Sequence, residues 1–543
     1  MKLLVLPPHR DVTLVPDAPE GWQLVDVARD FCLRVSSEAE VADAAEARER
    51  GPATAQTMRE MLLLRAAQAL TKREDATGHT GLRALGAVLT ALSGPPSGVR
   101  LRLDDVELES GTTERSEDVL RVASQSAPYS EDLTRVARLL AEAERVCLWL
   151  DRDLQLPAAV WLARACPAAV PLEIAGPFVE AHRDVLARMP MFQRAVFPEA
   201  ATPLRWRVVP LPGGPKLESL VWVPESLELT VVPPLSPGGR MLDGDVTARQ
   251  VLGLCTPEEV RTFTGGAPWG GHVGLGSVVH ADALVESGCR VAVVGFCSMS
   301  EGFVLEPTTG RRLDTTILVQ GARRLRDAGV RLVAEWWVGA PGVDEAALES
   351  TIAALDVVPL FEHVAGVRPF HWGLGRPDLD RQFQNPAIQP KSPPADRDLA
   401  RSRPFDAPDT LSGPRLLEVL ESLSQRLLRR APLNPGRVAA ACLRGPSAFA
   451  PEAVSARGPI RLDDDCALVQ LPATLDGAPK STWYAVNLRT GTVLAMDARL
   501  APGLSSLTRP ALASDVLGIV PEAQREKLVD TLVAKAVLTR VHG

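Results

Sequence analysis

Two stretches of this sequence alternate short, continuously apolar runs with amphipathic, helix-like stretches. The first covers residues 131–190 and the second covers residues 250–375. Strands that are apolar on both faces and joined by helices form parallel sheets covered by helices. Because 543 residues are too many for one hydrophobic core, the alternation predicts a multidomain α/β protein.

The first stretch predicts a doubly wound, Rossmann-like unit. Its apolar runs at 146–150 and 170–176 are separated by a helical pattern at 157–165, and residues 2–6 predict a further strand near the N-terminus. In such a unit the ligand binds beyond the carboxyl ends of the strands. Any ligand of this domain is therefore expected in the loops that follow the apolar runs.

The second stretch predicts a partial parallel barrel. Its candidate strands are residues 260–264, 290–295, 331–338 and 365–371, and its candidate helices are residues 279–287, 315–328 and 344–355. Continuous apolar strands joined by helices are what a partial or complete TIM-type barrel requires.

The last part of the chain differs in kind. Residues 468–471, 483–488 and 493–496 predict strands, with a turn at Arg489-Thr490-Gly491 that indicates a hairpin. Helical patterns and a final short strand follow. This order predicts a small winged-helix-like α+β module.

Composition excludes several classes of function. The formal net charge is -8, so the chain has no basic excess for nucleic acid or anionic lipid. It contains no apolar run long enough for a membrane span and no recognisable signal peptide, which predicts a cytoplasmic protein. The eight cysteines are scattered, without zinc-ligand spacing, so we expect buried free thiols and no metal site.

Four segments share their order and spacing with one known family. They are residues 1–8, 170–182, 286–295 and 329–345, the last containing Gly339-Ala340-Pro341-Gly342. In this order they resemble the cobalamin-binding radical S-adenosylmethionine (SAM) proteins found with ribosomally made, modified peptides (RiPPs). The resemblance implies a cobalamin-binding-like domain over residues 1–200 and a radical SAM-like partial barrel over residues 201–400. A helical linker would cover residues 401–455.

The chain departs from this family at the residues that its chemistry needs. A radical SAM enzyme holds a [4Fe–4S] cluster with three cysteine thiolates on one loop, usually C-x3-C-x2-C. That loop should follow the first barrel strand, placed at 228–234, yet residues 235–244 contain no cysteine and Cys255 stands alone. The family's D-x-H-x-x-G motif is also missing. A [4Fe–4S] cluster is therefore not expected, while SAM or cobalamin binding stays open.

Residues 456–543 resemble the PqqD-like peptide-recognition module. The similarity lies in Trp483-Tyr484-Ala485-Val486-Asn487-Leu488, Thr490-Gly491 and the closing 538–541. Such a module binds the leader of a precursor peptide by adding it as a strand to its sheet edge. The resemblance implies that Trp483, Tyr484, Val486 and Leu488 contact the peptide at that edge.

Other candidate residues each have two interpretations. Glu335 is a charged residue in an apolar strand, and it is either a catalytic group or a salt-bridged structural glutamate. His272 lies in a glycine-rich run that is either a cofactor loop or a plain barrel loop. The candidate cofactor-binding glycines are Gly176, Gly295, Gly339 and Gly342.

The sequence thus favours a pseudoenzyme. Its expected role is non-catalytic: it binds the leader of a precursor peptide and presents the peptide to a partner maturation enzyme, with no cofactor needed. The alternative is an enzyme that keeps SAM or cobalamin without a cluster, for instance a polar methyltransferase acting on a ribosomal peptide. In that alternative Glu335 and His272 are the polar participants.

Overall fold

The computed structural model describes the chain over separate ranges. The described residues are 1–10, 12, 14–35, 37–50, 54–71, 78–92, 98–101, 106–125, 127–198, 204, 206–208, 219–222, 249–252, 269–307, 310–370, 372–373, 388–427, 458–471 and 482–541. The strands predicted at 228–234 and 260–264, the loop 235–244 and Cys255 lie outside these ranges. Of the helices within them, none combines the length and hydropathy that a membrane span needs.

The N-terminal domain is built on a parallel sheet. Its elements are β1 (Lys2–Leu6), β2 (Leu14–Pro16), β3 (Trp22–Asp26), α1 (Val27–Val35), α2 (Glu38–Glu49), α3 (Ala55–Thr71), α4 (Gly78–Leu92), β4 (Val99–Leu101), β5 (Val106–Leu108), α5 (Ser116–Val122), α6 (Ser130–Ala141), β6 (Arg145–Trp149), α7 (Leu156–Ala165), β7 (Leu172–Ala175) and α8 (Pro177–Arg188). The sheet order is β3-β1-β6-β7, with all neighbours parallel. The chain reverses its direction of winding between β1 and β6, so the ligand crevice of such a sheet opens there.

The second parallel sheet has a different strand order. Its region contains β8 (Trp206–Val208), β9 (Ser219–Trp222), β10 (Arg249–Leu252), β11 (Trp269–His272), α9 (Ala281–Glu286), β12 (Cys289–Phe296), β13 (Ser298–Ser300), β14 (Phe303–Leu305), β15 (Arg312–Asp314), α10 (Thr315–Asp327), β16 (Arg331–Val338), α11 (Glu345–Val357) and β17 (His363–Pro369). Six strands pair in parallel in the order of the chain, β9-β10-β11-β12-β16-β17. Because each crossover adds its strand on the same side, the helices share one face and the sheet forms a half-barrel. The predicted partial barrel is confirmed at this level.

The strands of the half-barrel are apolar on both faces, as predicted. Ala292, Val294 and Phe296 of β12 and Trp336 of β16 belong to the core formed with the helices. Side chains alternate along a strand, so the residues between them point into the concave interior. Glu335 and Trp337 of β16 are among these interior residues.

A segment that we call the strap, residues 388–407, follows the barrel. It and its surroundings contain β18 (Trp372–Gly373), β19 (Gln389–Pro390), β20 (Ser402–Arg403), β21 (Phe405–Asp406) and α12 (Gly413–Leu427). β18 pairs with β20 and β19 pairs with β21, both antiparallel. Val419 and Leu423 of α12 join the helix-side core of the barrel, so this helix completes the barrel's outer layer.

The C-terminal module is antiparallel. It contains β22 (Ile460–Leu462), β23 (Cys466–Leu471), β24 (Thr482–Asn487), β25 (Thr492–Met496), α13 (Ala501–Ser505), α14 (Ala513–Val516), α15 (Glu522–Ala534) and β26 (Leu538–Arg540). The sheet order is β23-β24-β25, and β22 pairs with β26. Gly491 has a φ of +64° in the turn between β24 and β25, which explains a glycine there. The predicted strands and hairpin agree with these elements.

Candidate functional site

The carboxyl end of the half-barrel is where a ligand of this fold would bind. Glu335 lies on β16 three residues before that end, and its carboxylate forms an ion pair with the guanidinium of Arg368 on β17. The Arg368 guanidinium also lies 3.8 Å from the ring centroid of Trp337. Glu335 is therefore a salt-bridged residue, one of the two interpretations that the sequence left open.

The mouth of the half-barrel over β12, β16 and β17 is filled by the chain's own apolar side chains. They form one buried cluster, made by Cys297, Trp337, Ala340, Val343, Phe370 and Ile388, with Leu305, Ala347, Phe405 and Ala407 packed against it. The ring centroids of Phe370 and Phe405 are 5.8 Å apart. Burial raises the pKa of the Cys297 thiol well above its ordinary value, and nearby Glu306 adds to this effect. A neutral, buried thiol of this kind is a packing group rather than a nucleophile.

Three of the four predicted cofactor glycines have an intramolecular explanation. A Cβ on Gly295 would lie 2.8 Å from Cγ of Pro307, and one on Gly176 would lie 2.4 Å from the carbonyl oxygen of Leu150. A Cβ on Gly339 would lie 3.1 Å from Leu416. Close packing inside the chain thus accounts for the missing side chains, and cofactor binding by these glycines stays a prediction.

Gly342 and His272 differ from those three positions. Gly342 has a φ of +75°, which favours glycine, and a Cβ there would meet no atom of the described residues within 4 Å. His272 ends strand β11, and its register partner is Val293 of β12. The expectation of a loop at this point is wrong for residues 269–272, because they pair with β10 and β12. Within the described residues no group of three or more His, Cys, Asp or Glu side chains could hold a metal ion.

A buried charge cluster lies in the crevice of the N-terminal sheet, between the carboxyl ends of β1, β3 and β6. Arg10 Nη1 lies 3.3 Å from Asp26 Oδ2, and Arg10 Nε lies 3.4 Å from Asp151 Oδ2. All three side chains are less than a tenth exposed. Burial raises the pKa of both carboxyl groups, and the charge of Arg10 opposes that rise. One cation, Arg10, therefore bridges two carboxylates in this crevice.

His9 borders the same crevice, and sequence reasoning missed it. The residue has a φ of +76°, a region that non-glycine residues rarely adopt. Its ring packs edge-on against Tyr129 with centroids 5.1 Å apart, and its buried Nε2 atom has no hydrogen-bond partner among the residues that the structure describes. Because His9 follows β1 directly after Pro7-Pro8, the rule that ligands bind beyond strand ends could have identified it.

We expect His9→Asn to reduce the acid sensitivity of the N-terminal domain. Burial lowers the pKa of His9 to about 3 from an ordinary 6.5, so below pH 6.5 the unfolded chain binds a proton that the folded chain refuses. Stability therefore falls by up to about 1.4 kcal/mol per pH unit as the pH drops. Asparagine does not titrate and tolerates positive φ.

Hydrogen exchange of the β1 and β6 amides, corrected for intrinsic rates, measures this effect in the full chain. From pH 6.5 to 5 the wild type should lose about 1.6 kcal/mol more protection than the variant. The buried carboxyl groups of Asp26 and Asp151, the neighbouring Arg10 and Tyr129 and the remaining histidines are present in both proteins, so their contributions largely cancel. Equal losses in the two proteins would contradict the assignment to His9.

The predicted peptide site on β24 needs correction. β24 is the central strand of its sheet, paired with β23 on one side and β25 on the other, so its backbone cannot accept an added strand. Trp483 packs toward the core shared with α13–α15, whereas Tyr484, Val486 and Leu488 pack toward α3. Adjacent strand residues face opposite sides of a sheet, so one peptide cannot contact all four.

Helix α3 of the N-terminal domain covers one face of this sheet. Met61, Leu62, Ala66 and Leu70 of α3 form a buried cluster with Ala467, Val469, Leu471 and Val486. Val486 is completely buried, so it is not accessible to a peptide. The remaining candidate for strand addition is an edge strand, and β25 pairs with β24 alone among the described strands.

A cavity of about 460 Å³ lies where the strap meets the N-terminal domain. Its lining residues are Val106, Glu107, Leu108, Gly111, Thr112, Thr113, Glu114 and Arg401. Arg401 Nε lies 2.7 Å from Oδ1 of the buried Asp153. Sequence reasoning assigned nothing to this region, because its walls come from residues almost 300 positions apart.

The chain has only remote similarity to the known proteins that follow. No family model and no curated protein matches the sequence. Among solved structures, the chain is similar to coproporphyrinogen III oxidase (HemN) from Escherichia coli, a radical SAM enzyme, at 12% identity and a TM-score of 0.24. That similarity covers 34% of this chain and 40% of the HemN chain, so this chain spans less than half of HemN.

A second similar structure is TsrM from Kitasatospora setae. It is a radical SAM methyltransferase, solved with its tryptophan substrate and a SAM analogue bound. The identity is 11% and the TM-score 0.32, over 60% of this chain and 89% of TsrM. TM-scores below 0.5 do not assign a fold, so the description of the half-barrel rests on its own strand order.

Proposed function

We propose that this chain is a non-catalytic peptide-binding protein built on a radical SAM-like half-barrel. It binds the leader of a precursor peptide through its C-terminal module and presents the peptide to a partner maturation enzyme. The observation that carries the proposal is the outer edge of β25, which pairs with no strand in the described part of the chain. A peptide that pairs with this edge extends the sheet by one strand, and its main chain supplies the hydrogen bonds.

The composition of β25 supports its role as a docking edge. Its sequence, Thr492-Val493-Leu494-Ala495-Met496, contains no charge and no proline. Proteins usually protect exposed edges with charges, prolines or bulges, because bare edges pair with other chains. Val493 and Leu494 are half-buried on opposite faces, so a neighbouring strand could pack against both.

The packing of the barrel mouth supports the non-catalytic part of the proposal. Over β12, β16 and β17, the positions where a barrel enzyme would place its reacting groups are occupied by a buried apolar cluster. The carboxylate of Glu335, on the same strand as Trp337 of this cluster, is paired with Arg368. This arrangement suits a scaffold better than a reaction centre.

Peptide selection on the full-length chain tests the proposal. Peptides enriched from a random linear library would be assayed against wild type, Ala495→Lys and the matched control Gln470→Lys. Ala495 and Gln470 are both exposed, and they lie on the two opposite edge strands of one sheet. A charge on the docking edge should weaken binding about tenfold, while the control stays within about twofold.

Amide exchange locates the bound peptide directly. Binding should slow exchange along β25 and leave β23 unchanged. No enriched peptide, or equal effects of the two lysine variants, would refute the proposal. The alternative, a SAM- or cobalamin-binding enzyme, predicts that desalted protein retains the cofactor after reconstitution, which a visible spectrum or a SAM-binding titration detects.

A further inference from the structure

The strap (residues 388–407) is anchored in the core of the N-terminal domain. Leu399 is completely buried and belongs to the hydrophobic core of that domain. Its amide donates to the carbonyl oxygen of Glu114 at 2.9 Å. The carbonyl oxygen of the next residue, Ala400, lies 2.8 Å from Nε2 of the buried His182.

Charged residues surround this apolar anchor, and we call them the clasp. Asp398 accepts hydrogen bonds from the amide (2.8 Å) and hydroxyl (2.5 Å) of Ser116, at the start of α5. Arg401 Nε lies 2.7 Å from Oδ1 of Asp153, which follows the carboxyl end of β6. Arg397 Nη1 lies 3.1 Å from Glu114 Oε2. The arginine side chains are about half exposed, so salt weakens their part of the clasp.

The other part of the strap lies over the mouth of the half-barrel. The Phe405 ring packs on Phe370, and Phe370 in turn packs on Trp337, with centroids 6.5 Å apart. Ile388 belongs to the same cluster as Cys297. Phe405 and Ala407 are only half-buried against this cluster, whereas Leu399 is fully buried in the N-terminal core. The Phe405 end of the strap is therefore held less firmly at the mouth than Leu399 is in the N-terminal core, while Ile388 is buried in the mouth.

We propose that the strap is a latch that closes the mouth of the half-barrel, and that the clasp on the N-terminal domain holds it closed. Releasing the clasp frees Phe405 and Ile388 to leave the mouth and exposes the apolar cluster beneath them. The latch connects the carboxyl edges of the two parallel sheets, so a change at the N-terminal crevice reaches the barrel mouth through it. This inference does not depend on peptide binding.

Strand β12 supplies a matched pair of reporters. Cys297 follows its carboxyl end and is buried in the cluster under the strap, while Cys289 begins the strand and is buried in the helix-side core. Both thiols are about 1% exposed in the closed state. Opening of the latch exposes Cys297 and leaves Cys289 protected, whereas unfolding of the barrel exposes both.

Thiol labelling of the full chain, with each cysteine quantified by mass spectrometry, tests the latch. In the double variant Asp398→Asn, Arg401→Gln we expect Cys297 to react about tenfold faster and Cys289 to react at the wild-type rate. Lys391→Gln is the control, because its ion pair with Asp406 stays within the strap. High salt should accelerate Cys297 labelling in the wild type and have less effect in the double variant.

Two results would overturn the latch. One is an unchanged rate for Cys297 in the double variant. The other is a parallel increase for Cys289, which would mean that the substitutions unfold the barrel as a whole. Neither result bears on the β25 edge, whose test is peptide affinity.

Discussion

Asp463→Ala should destabilise the C-terminal module by about 3 kcal/mol, because it removes a buried carboxylate that accepts several hydrogen bonds. The partly buried Arg489 keeps its 3.6 Å contact with Asp465, and the buried Asn487 amide keeps its bond to the Ala536 carbonyl oxygen. Asp463 is 6% exposed, and its carboxylate accepts four hydrogen bonds. Its donors are the Asp465 amide, Asn487 Nδ2 at 3.0 Å, Arg489 Nη2 at 2.7 Å and the Thr539 hydroxyl. These contacts join the turn before β23, the β24–β25 hairpin and β26.

The adjacent residue is the control for this prediction. Asp464 pairs with Arg461 and its side chain is 41% exposed, so Asp464→Ala should cost less than about 1 kcal/mol. Exchange protection of the β24 amides in the full chain reports the module's own stability, since a multidomain chain does not unfold in one step. Similar losses in the two variants would show that the Asp463 network contributes little.

The Asp463 network also matters for the proposed peptide binding. The same network fixes the hairpin turn that positions β25: Asn487 Oδ1 accepts from the amides of Arg489 and Thr490 at 2.9 and 3.0 Å. Loss of Asp463 should therefore also abolish peptide binding at the β25 edge. Asp464→Ala should leave that binding intact.

Some of this architecture was accessible from the sequence because it depends on local pattern. β12 and β16 were predicted within one or two residues, since continuous apolar runs bounded by glycine define buried strands. The hairpin was predictable from Arg489-Thr490-Gly491. The position of β24 was also accessible in principle, because the middle one of three successive antiparallel strands is normally internal to the sheet.

Other features depend on which distant residues meet, and pattern does not specify that. The apolar residues of α3 predict that other elements cover this helix, but they do not predict that β23, about 400 residues later, is one of them. Glu335 was ambiguous because its partner Arg368 lies on the next strand. The burial of Leu399 within a proline-rich, charged stretch has no periodicity to reveal it.

Arg10→Met should cost the N-terminal domain about 3–5 kcal/mol at pH 7, because it leaves two buried carboxylates without their cation. Burial already raises the pKa of Asp26 and Asp151, and Arg10 is the largest influence opposing that rise. Without it both pKa values rise further. A buried acid with a raised pKa is stabilising when protonated and loses that stability as the pH rises from its unfolded value through its folded value.

The destabilisation caused by Arg10→Met should depend on pH. The difference between Arg10→Met and wild type should be largest near neutral pH and should shrink as the pH is lowered and the carboxyl groups of the variant become protonated. His9 is present in both proteins, so the opposite effect of its protonation largely cancels in the difference. The measurement is exchange protection of the β1 and β6 amides at pH 7 and pH 5.

Two further variants decide whether the uncompensated charge is the cause. Arg152→Met removes an exposed arginine next to Asp151 and should change stability by less than about 1 kcal/mol. The triple variant Arg10→Met, Asp26→Asn, Asp151→Asn removes all three charges and should recover most of the loss, because replacing a whole buried ion cluster is often close to neutral. If the triple variant is as unstable as Arg10→Met, lost packing of the arginine side chain is responsible. Side-chain packing in the crevice, and not its ion pairs, would then stabilise the domain.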